Sequence, residues 1–254
     1  MKELSVKDIS SIYVNKKKEK VLALSHVSFE INSSDFLTIV GPTGCGKTTL
    51  LKCIAGFQEF AGKILIDGTD IEEISIKDRN IAYITQVPSL FPRMTIFDNI
   101  AFPLKLSMVP YEEVNRRVKQ ISEELNITHL LTRKPKHLSK GQQQRVCIAK
   151  ALVKRADLYL FDEPFSALDE TSKTELGRLL KSLSNKLDTP FIYVTHNQQE
   201  AIRLGTVMMI INNGKVEQFD TPWNIVHSPC NEFVKEFITL EKISFKEEAN
   251  DWFL

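Results

Sequence analysis

The chain has 254 residues, of which 43% are hydrophobic and 26% are charged, a composition typical of a globular protein rather than a disordered one. Its 33 Lys and Arg residues nearly balance its 32 Asp and Glu residues, which leaves a formal net charge of +1 at pH 7. This balance argues against the broad basic field on which sequence-independent nucleic-acid binding depends. We therefore expect no nucleic-acid partner.

The sequence also argues against a membrane-spanning protein and against a secreted one. The longest apolar runs, such as residues 207–211, have about a quarter of the roughly 20 residues that a membrane-spanning helix needs. The N-terminal stretch MKELSVKDISS lacks the apolar segment of a secretory signal. Cysteines stand at positions 45, 53, 147 and 230, without CxxC pairing or metal-ligand spacing. We expect a reduced, cytoplasmic setting.

Two kinds of strand pattern follow in chain order. Residues 4–14 and 23–31 alternate apolar and polar side chains on either side of the Lys-rich residues 15–20, which predicts a strand pair joined by a solvated loop. From Phe36 onward the apolar runs are nearly continuous, and helical segments separate them: FLTIV, IAYIT, LYLF, FIYVT and VMMII. Such runs predict an α/β fold with a largely parallel sheet covered on both faces.

The strand signal disappears over residues 95–155, where the pattern is helical in YEEVNRRVKQISEEL and in GQQQRVCIAKALV. This predicts an α-helical subdomain inserted into the α/β core. Strand and helix then alternate again, followed by a hairpin in MMIINNGKVEQFD and two small helices to about Ile238. We expect one domain over residues 3–238 and a short tail over residues 239–254.

The segment GPTGCGKT at residues 41–48 lies directly between the FLTIV strand and the helical TLLKCIAG. It matches the phosphate-loop pattern G-x4-G-K-[ST] in the required strand-to-helix context. Its glycines let the backbone wrap N–H groups around an anion, and the helix presents its positive end. We expect Lys47 to lie at the β- and γ-phosphates of a nucleotide and the Thr48 hydroxyl to bind Mg²⁺. The expected nucleotide contacts are Gly41, Pro42, Thr43, Gly44, Cys45, Gly46, Lys47, Thr48 and Thr49.

A pair of carboxylates ends another buried strand, in the sequence LYLFDEP. A carboxylate at such a strand end can hold the Mg²⁺ that the phosphates carry, and its neighbour can orient or deprotonate a water molecule. We assign Asp162 to the metal and Glu163 to the water.

Further segments resemble the motifs of ABC-type ATPases. LSKGQ at residues 138–142 resembles the LSGGQ signature of that family, and its Ser139 and Gln142 have the spacing of a capping box. A helix that begins there presents backbone N–H groups and a positive dipole end to phosphate. Gln86 after IAYIT resembles the Q-loop, the SALD segment ending at Asp169 resembles the D-loop, and His196 after FIYVT resembles the switch histidine.

The resemblance covers about residues 3–238 and implies a P-loop ATPase core with a mostly parallel sheet, an N-terminal antiparallel β subdomain and an inserted α-helical subdomain. It also implies ATP and Mg²⁺ as cofactors and head-to-tail pairing of two such domains. Each ATP then lies between the phosphate loop of one domain and the signature of the other, here Ser139, Lys140, Gly141 and Gln142. The second domain is either another copy of this chain or a paralogue.

Individual roles follow from the resemblance. It implies that Tyr13 stacks on adenine, that Gln86 ligates Mg²⁺ and senses a transmembrane partner, and that His196 contacts the γ-phosphate. It places Asp169 among the nucleotide-binding residues, and Lys47, Gln86, Glu163 and His196 among the catalytic ones. The sequence departs from the family pattern at Lys140, where glycine is usual, and at Asn197, where aspartate is more frequent.

Three kinds of ABC protein remain possible: the ATPase subunit of an importer, that of an exporter, and a non-transport ABC ATPase. Residues 79–106 and 216–238 resemble the ATP-binding subunits of bacterial sugar and polyamine importers. We therefore predict an ATP hydrolase, peripheral on the inner face of the membrane, that energises solute import through separate permease subunits with an extracellular solute-binding protein. Apolar side chains at Phe91, Met94, Phe97 and Phe102 are expected to face the permease.

Overall fold

A computed structural model describes residues 3–14 and 18–239. They belong to two compact units. The first unit comprises the chain up to Arg79 together with the chain from Asp188 onward, and the second is Asn80–Leu187. Residues 15–17 of the predicted loop and residues 240–254 of the predicted tail lie outside the described residues.

The first part of the first unit is mostly antiparallel. Its elements are β1 (Glu3–Val14), β2 (Lys20–Asn32), β3 (Phe36–Val40), α1 (Lys47–Ala55), β4 (Ala61–Ile66) and β5 (Thr69–Asp70), with a 3₁₀ turn at Ile71–Glu73. Four of the strands form a sheet in the order β2-β1-β4-β5. The predicted strand pair β1–β2 is confirmed, and β4 adds antiparallel to β1. The apolar patterns of the sequence do not predict β4 and β5.

The second unit combines helices with a parallel strand pair. Its elements are β6 (Ile81–Ile84), α2 (Ile96–Leu106), α3 (Tyr111–Glu124), α4 (Lys140–Leu152), β7 (Leu158–Asp162) and α5 (Glu170–Leu187), with 3₁₀ turns at Thr128–Leu130 and Pro135–His137. β6 and β7 pair in parallel, with Ile81 opposite Leu158 and Ile84 opposite Phe161. Every residue of β7 is buried, as expected for a parallel strand covered on both faces.

The chain then returns to the first unit with β8 (Phe191–Val194), α6 (Gln198–Leu204), β9 (Val207–Asn212), β10 (Lys215–Asp220), α7 (Pro222–His227) and α8 (Glu232–Thr239). β3 pairs in parallel with β8 and with β9, so the predicted parallel sheet is confirmed here. The predicted hairpin β9–β10 is also present. Its two-residue turn has positive φ at Asn213 and Gly214, the pattern that an Asn-Gly turn favours.

The final helices cover one end of this sheet. A buried apolar cluster joins β3, β9, α6, α7 and α8 through side chains that include Val40, Ile202, Ile210, Ile225 and Val234. Burial of this apolar surface holds the C-terminal helices against the strands that flank residues 41–48. No helix among residues 3–14 and 18–239 is long and apolar enough to cross a membrane.

Candidate functional site

The phosphate loop joins β3 to α1 and encloses its own lysine. Lys47 is 6% exposed, and its Nζ donates hydrogen bonds to the carbonyl oxygens of Gly41 at 2.7 Å and Pro42 at 2.9 Å. A buried ammonium therefore lies at the centre of the loop, beside the positive end of α1. An incoming phosphate would replace these carbonyl oxygens as the acceptor for Lys47.

Two glycines of the loop serve different purposes. Gly46 precedes α1 with a φ of 110°, and a Cβ there would lie 2.4 Å from the carbonyl oxygen of Ala23. Gly44 has a φ of 81°, yet a Cβ there would meet no atom within 4 Å. Packing against Ala23 therefore requires glycine at position 46. At position 44 the backbone faces open space, and without a side chain an anion can approach it closely.

Cys45 lies inside the loop as a packed side chain. It is 5% exposed, and burial raises the pKa of its thiol above the ordinary value although Lys47 acts in the opposite direction. The backbone N–H of Gly214 donates to the Cys45 carbonyl oxygen at 3.0 Å, so the β9–β10 turn anchors the loop. A raised thiol pKa disfavours the reactive thiolate, so Cys45 is a packed residue of the loop and not a nucleophile.

Tyr13 and His196 also belong to the first unit. Tyr13 lies opposite Val21 in the β1–β2 pair and is 41% exposed, so its ring is accessible for stacking. His196 lies two residues after the end of β8 and is exposed. The next residue, Asn197, caps α6 by accepting a hydrogen bond from the Glu200 N–H, a function that the more frequent aspartate performs equally well. The nucleotide contacts of Tyr13 and His196 remain predictions.

Asp162 ends β7 and is 8% exposed. The Tyr83 hydroxyl of β6 donates a hydrogen bond of 3.0 Å to its Oδ2, and burial together with the Asp162 charge raises the pKa of Tyr83 above its usual range. Tyr83 therefore restrains one carboxylate oxygen of the predicted metal ligand. The sequence analysis missed Tyr83, because only the β6–β7 register brings it close to Asp162.

Gln86 and Glu163, two of the predicted catalytic residues, lie together in the second unit. Gln86 Nε2 donates to Glu163 Oε2 at 3.2 Å. Glu163 has a φ of 48°, a left-handed conformation that is strained for a residue with a side chain, at a cost of about 1–3 kcal/mol. Strain of this kind is frequent where a side chain is held for chemistry. The role of Glu163 toward a water molecule remains a prediction.

The predicted metal ligands offer suitable donor atoms for Mg²⁺. Asp162 offers a carboxylate and Gln86 an amide oxygen in the second unit, and Thr48 offers a hydroxyl at the start of α1 in the first. Mg²⁺ prefers oxygen ligands, and it keeps part of its coordination shell for water and for substrate phosphates. The donor set therefore fits this ion.

The capping box predicted at the signature is confirmed. Ser139 Oγ accepts a hydrogen bond from the Gln142 N–H at 3.3 Å, and Gln142 Oε1 accepts one from the Ser139 N–H at 3.1 Å. The next amides, those of Lys140 and Gly141, have no acceptor within the helix because they belong to its first turn. They are the N–H groups that α4 can offer to a phosphate.

A cavity of about 350 Å³ lies within the second unit. The residues that line it come from three segments in which the sequence predicted separate motifs. They are Gln86, Val87, Pro88, Lys140, Gln143, Gln144, Pro164, Ser166, Ala167 and Leu168. The Q-loop, signature and D-loop segments therefore share one surface.

Asp169 directly precedes α5, and its carboxylate caps the first turn of that helix. It accepts hydrogen bonds from the Ser172 N–H at 3.0 Å and from the Ser172 hydroxyl at 2.7 Å. The Ser172 hydroxyl bond is the main cause of a lowered Asp169 pKa. The structure thus assigns Asp169 a helix-capping contact, and its role toward a nucleotide remains a prediction.

A glycine-rich loop between a parallel strand and a helix, together with carboxylates at another strand end, defines a P-loop nucleotide-binding protein. The ABC transporter family model matches residues 24–166. The chain belongs to the ABC transporter family.

Curated relatives are similar over most of the chain. The trehalose/maltose import ATP-binding protein MalK of Thermococcus litoralis is 40% identical over 233 residues, which are 89% of this chain and 63% of that protein. The spermidine/putrescine import ATP-binding protein PotA of Hahella chejuensis is 43% identical over 85% of this chain and 59% of that protein. The chain spans 58–66% of the length of the first curated relatives that it matches.

Solved structures share the fold. The ATP-binding cassette MJ0796, in a dimeric post-hydrolysis state bound to ADP and Pi, superposes with a TM-score of 0.77 at 29% sequence identity. The match covers 86% of this chain and 98% of that one. The predicted fold class, an α/β P-loop ATPase core, is therefore confirmed.

Proposed function

We propose that this protein hydrolyses ATP with Mg²⁺ and that the hydrolysis energises solute import through separate permease subunits. The buried Lys47 ammonium within the loop at the start of α1 is the observation that carries the proposal. A buried cation in a glycine-rich loop, at the N-terminal end of a helix, is a site for an anion, and the neighbouring motifs specify the triphosphate of a nucleotide.

The chemical roles divide between the two units. Residues 41–49 hold the phosphates, Tyr13 stacks on the adenine, and His196 contacts the γ-phosphate, all in the first unit. In the second unit Glu163 orients the attacking water, and Gln86 holds the Glu163 carboxylate in place through the 3.2 Å contact. Thr48 in the first unit, and Gln86 and Asp162 in the second, are the residues that would hold Mg²⁺, and the ion would supply positive charge against the phosphates.

We further propose that two ATPase chains pair head to tail, with the partner a second copy or a paralogue. The dimeric state of the MJ0796 cassette supports this pairing. The signature amides of Lys140 and Gly141, with the capped Ser139 and Gln142, would then contact the nucleotide held by the partner. ATP binding would close the dimer, and hydrolysis would reopen it.

A surface on the second unit supports a permease partner. Phe91 is 38% exposed, its ring centroid lies 4.6 Å from that of Phe102, and Lys150 Nζ lies 4.4 Å from the Phe91 ring centroid. Met108, near the end of α2, is 91% exposed. A partly exposed pair of apolar rings such as Phe91 and Phe102 is typical of protein interfaces, and contact with a permease would hold the protein at the membrane.

The solute is proposed only as a class. The relatives are named for the import of trehalose and maltose, of osmoprotective compounds, and of spermidine and putrescine. The solutes in these names are small organic molecules, but they do not belong to one chemical class. We therefore propose a small organic solute, delivered by an extracellular solute-binding protein.

The purified chain tests the enzymatic part of the proposal. We expect Mg²⁺-dependent release of phosphate from ATP, and loss of nucleotide binding in Lys47→Ala because the buried cation is removed. Absence of ATP hydrolysis in the wild-type chain, alone and with permease, would overturn the proposal. For transport, proteoliposomes containing the permease should accumulate solute with ATP supplied on the ATPase side, whereas net efflux would indicate an exporter.

A further inference from the structure

A hydrogen-bond network surrounds the backbone on both sides of His196. The Glu200 Oε2 atom accepts hydrogen bonds from the Thr195 hydroxyl at 2.9 Å and from the Tyr193 hydroxyl at 3.0 Å. Glu200 also donates its backbone N–H to Asn197 Oδ1 at 3.0 Å. One residue thus binds both neighbours of His196.

A second bond closes the network. The Asn197 N–H donates to Thr195 Oγ1 at 3.0 Å, so the residues before and after His196 are bonded directly to each other as well as through Glu200. Thr195 is 2% exposed and Tyr193 is fully buried. Hydrogen bonds shielded from water in this way restrict motion more than exposed ones do.

The geometry differs from the usual start of a helix. In a capping box, the side chain of a glutamate at the third helical position accepts a hydrogen bond from the N–H of the capping residue. Glu200 has that position in α6, with Asn197 as the cap. Here the Asn197 N–H donates to Thr195, and the Glu200 carboxylate reaches back to the end of β8. The carboxylate therefore binds the strand that leads into His196.

We infer that Glu200 is a positioning residue for His196, fixing the one-residue connection between Thr195 and Asn197 so that the imidazole is presented in a single orientation. The inference rests on the proposed role of His196 at the γ-phosphate. A catalytic side chain that is displaced by about 1 Å loses much of its effect, so a restrained backbone at this position affects turnover.

A spectroscopic test reports on His196 without nucleotide. The chain has 5 histidines, so a carbon–proton NMR spectrum of labelled imidazole groups is simple, and the His196 peak is assigned by its loss in His196→Ala. We expect Glu200→Ala to shift or broaden this peak. We expect Glu200→Gln to restore it, because the amide oxygen can accept the same two hydroxyl bonds.

Tyr193→Phe is the matched control. It removes one bond to the same carboxylate but leaves both neighbours of His196 bonded, so the His196 peak should keep its position and width. An unchanged peak in Glu200→Ala, or an equal change in Tyr193→Phe, would overturn the inference. If Glu200→Ala does not fold, Thr195→Val removes the shared hydroxyl and should move the peak in the same way, and an unmoved peak there would also overturn the inference.

Turnover separates this inference from the proposed function. We expect kcat for ATP to fall roughly 10-fold in Glu200→Ala, with KM within a few-fold of wild type and with recovery in Glu200→Gln. In a His196→Ala background the same substitution should have no further effect. An equal loss in both backgrounds would show a merely structural role for Glu200. Wild-type turnover in His196→Ala would instead refute the proposed role of His196, while the NMR result would still test the contact.

Discussion

Gln86 donates a 3.2 Å hydrogen bond from Nε2 to Oε2 of Glu163. The bond links the segment after β6 to the residue after β7, two strands that pair in parallel. Gln86 is also the residue that the resemblance to ABC ATPases connects with a transmembrane partner. A displacement of Gln86 by that partner would therefore move the carboxylate to which we assign the attacking water.

The first prediction concerns Glu163→Gln. The substitution keeps the size and polarity of the side chain but removes its negative charge, so the variant should bind ATP while turnover falls roughly 10²-fold or more. It should also accumulate as an ATP-dependent dimer in size-exclusion chromatography. Glu123→Gln, on the exposed side of α3, is the control and should behave as wild type. Turnover of Glu163→Gln within a few-fold of wild type would refute the assignment.

The second prediction compares Lys140→Gly with Ser139→Ala. Since Ser139 caps α4 and the amide at position 140 is retained with any side chain, Lys140→Gly should leave ATP turnover within a few-fold of wild type. Ser139→Ala should reduce turnover more, because it removes a cap worth about 1 kcal/mol and a side chain that we propose contacts the nucleotide held by the partner. Steady-state ATPase rates of the two variants provide the measurement.

The opposite ranking has a clear meaning. If Lys140→Gly lowers turnover by about 10²-fold, as much as Ser139→Ala or more, the ammonium itself stabilises phosphate charge in a water-poor interface. The Lys140 side chain would then take part in phosphate binding, and the expectation that the backbone N–H groups of α4 are sufficient would be wrong.

A third prediction follows from the 3.0 Å bond between Tyr83 and Asp162. Tyr83→Phe frees the carboxylate to rotate, so the Mg²⁺ concentration for half-maximal ATPase activity should rise several-fold, with a small change in kcat at saturating Mg²⁺. Tyr159→Phe is the control, since the Tyr159 hydroxyl accepts a bond from the Ala156 N–H. It should lower thermal stability without moving the Mg²⁺ dependence. An unchanged Mg²⁺ titration in Tyr83→Phe would contradict the prediction.

The fourth prediction concerns stability and pH. Burial lowers the pKa of Lys181 on α5 from 10.5 to about 8, because the ammonium loses hydration. Between pH 8 and 10.5 the unfolded chain binds more protons at this residue than the folded chain does, so its contribution to stability increases with pH. Below pH 8 the buried charge opposes folding in full.

Lys181→Met removes that charge. At neutral pH it should stabilise the fold by about 1–2 kcal/mol, a value reduced for partial exposure, and raise Tm by a few degrees. The gain should disappear as the pH approaches 10.5. Lys186→Met, at an exposed position of the same helix, is the control and should not stabilise the fold at neutral pH. Thermal melts of both variants across this range are the measurement, and a gain that persists at high pH would argue against the burial effect.

The fifth prediction concerns the permease surface. Phe91→Ser removes an exposed ring that packs against Phe102, so it should abolish solute uptake and co-purification with the permease while the ATPase rate of the isolated chain and its Tm stay near wild type. Phe57→Ser, which replaces a ring 60% exposed in the first unit, is the control and should retain uptake. A parallel loss of Tm in Phe91→Ser would show that the ring is part of the core.

Local patterns were sufficient to predict most of the fold. Continuous apolar runs identified β3, β7, β8 and β9, because strands buried on both faces of a parallel sheet are rich in apolar side chains. A similar run identified β6, although only Ile84 of that strand is buried. The phosphate loop was identified because its chemistry requires glycine and lysine at fixed spacing. Helix α2 was missed, since Pro103 lies inside it and proline normally predicts a break.

Contacts between distant side chains could not be predicted. The Tyr83–Asp162 bond depends on the β6–β7 register, which no local pattern specifies. Strand β4 was missed because half of it is exposed, so the apolar pattern that identifies a buried strand is weak there. The bonds of Glu200 to Tyr193 and Thr195 depend on how α6 turns back toward β8, which is a property of the tertiary structure.

The anchoring of the phosphate loop affects how the protein is made. The Gly214 N–H binds the Cys45 carbonyl oxygen, and the Gly214 carbonyl oxygen accepts a bond from the Ser25 N–H. A ribosome synthesises Cys45 and Ser25 early and Gly214 late, after the whole second unit. The phosphate loop therefore cannot acquire its complete set of bonds on a growing chain until the β9–β10 turn has emerged from the exit tunnel.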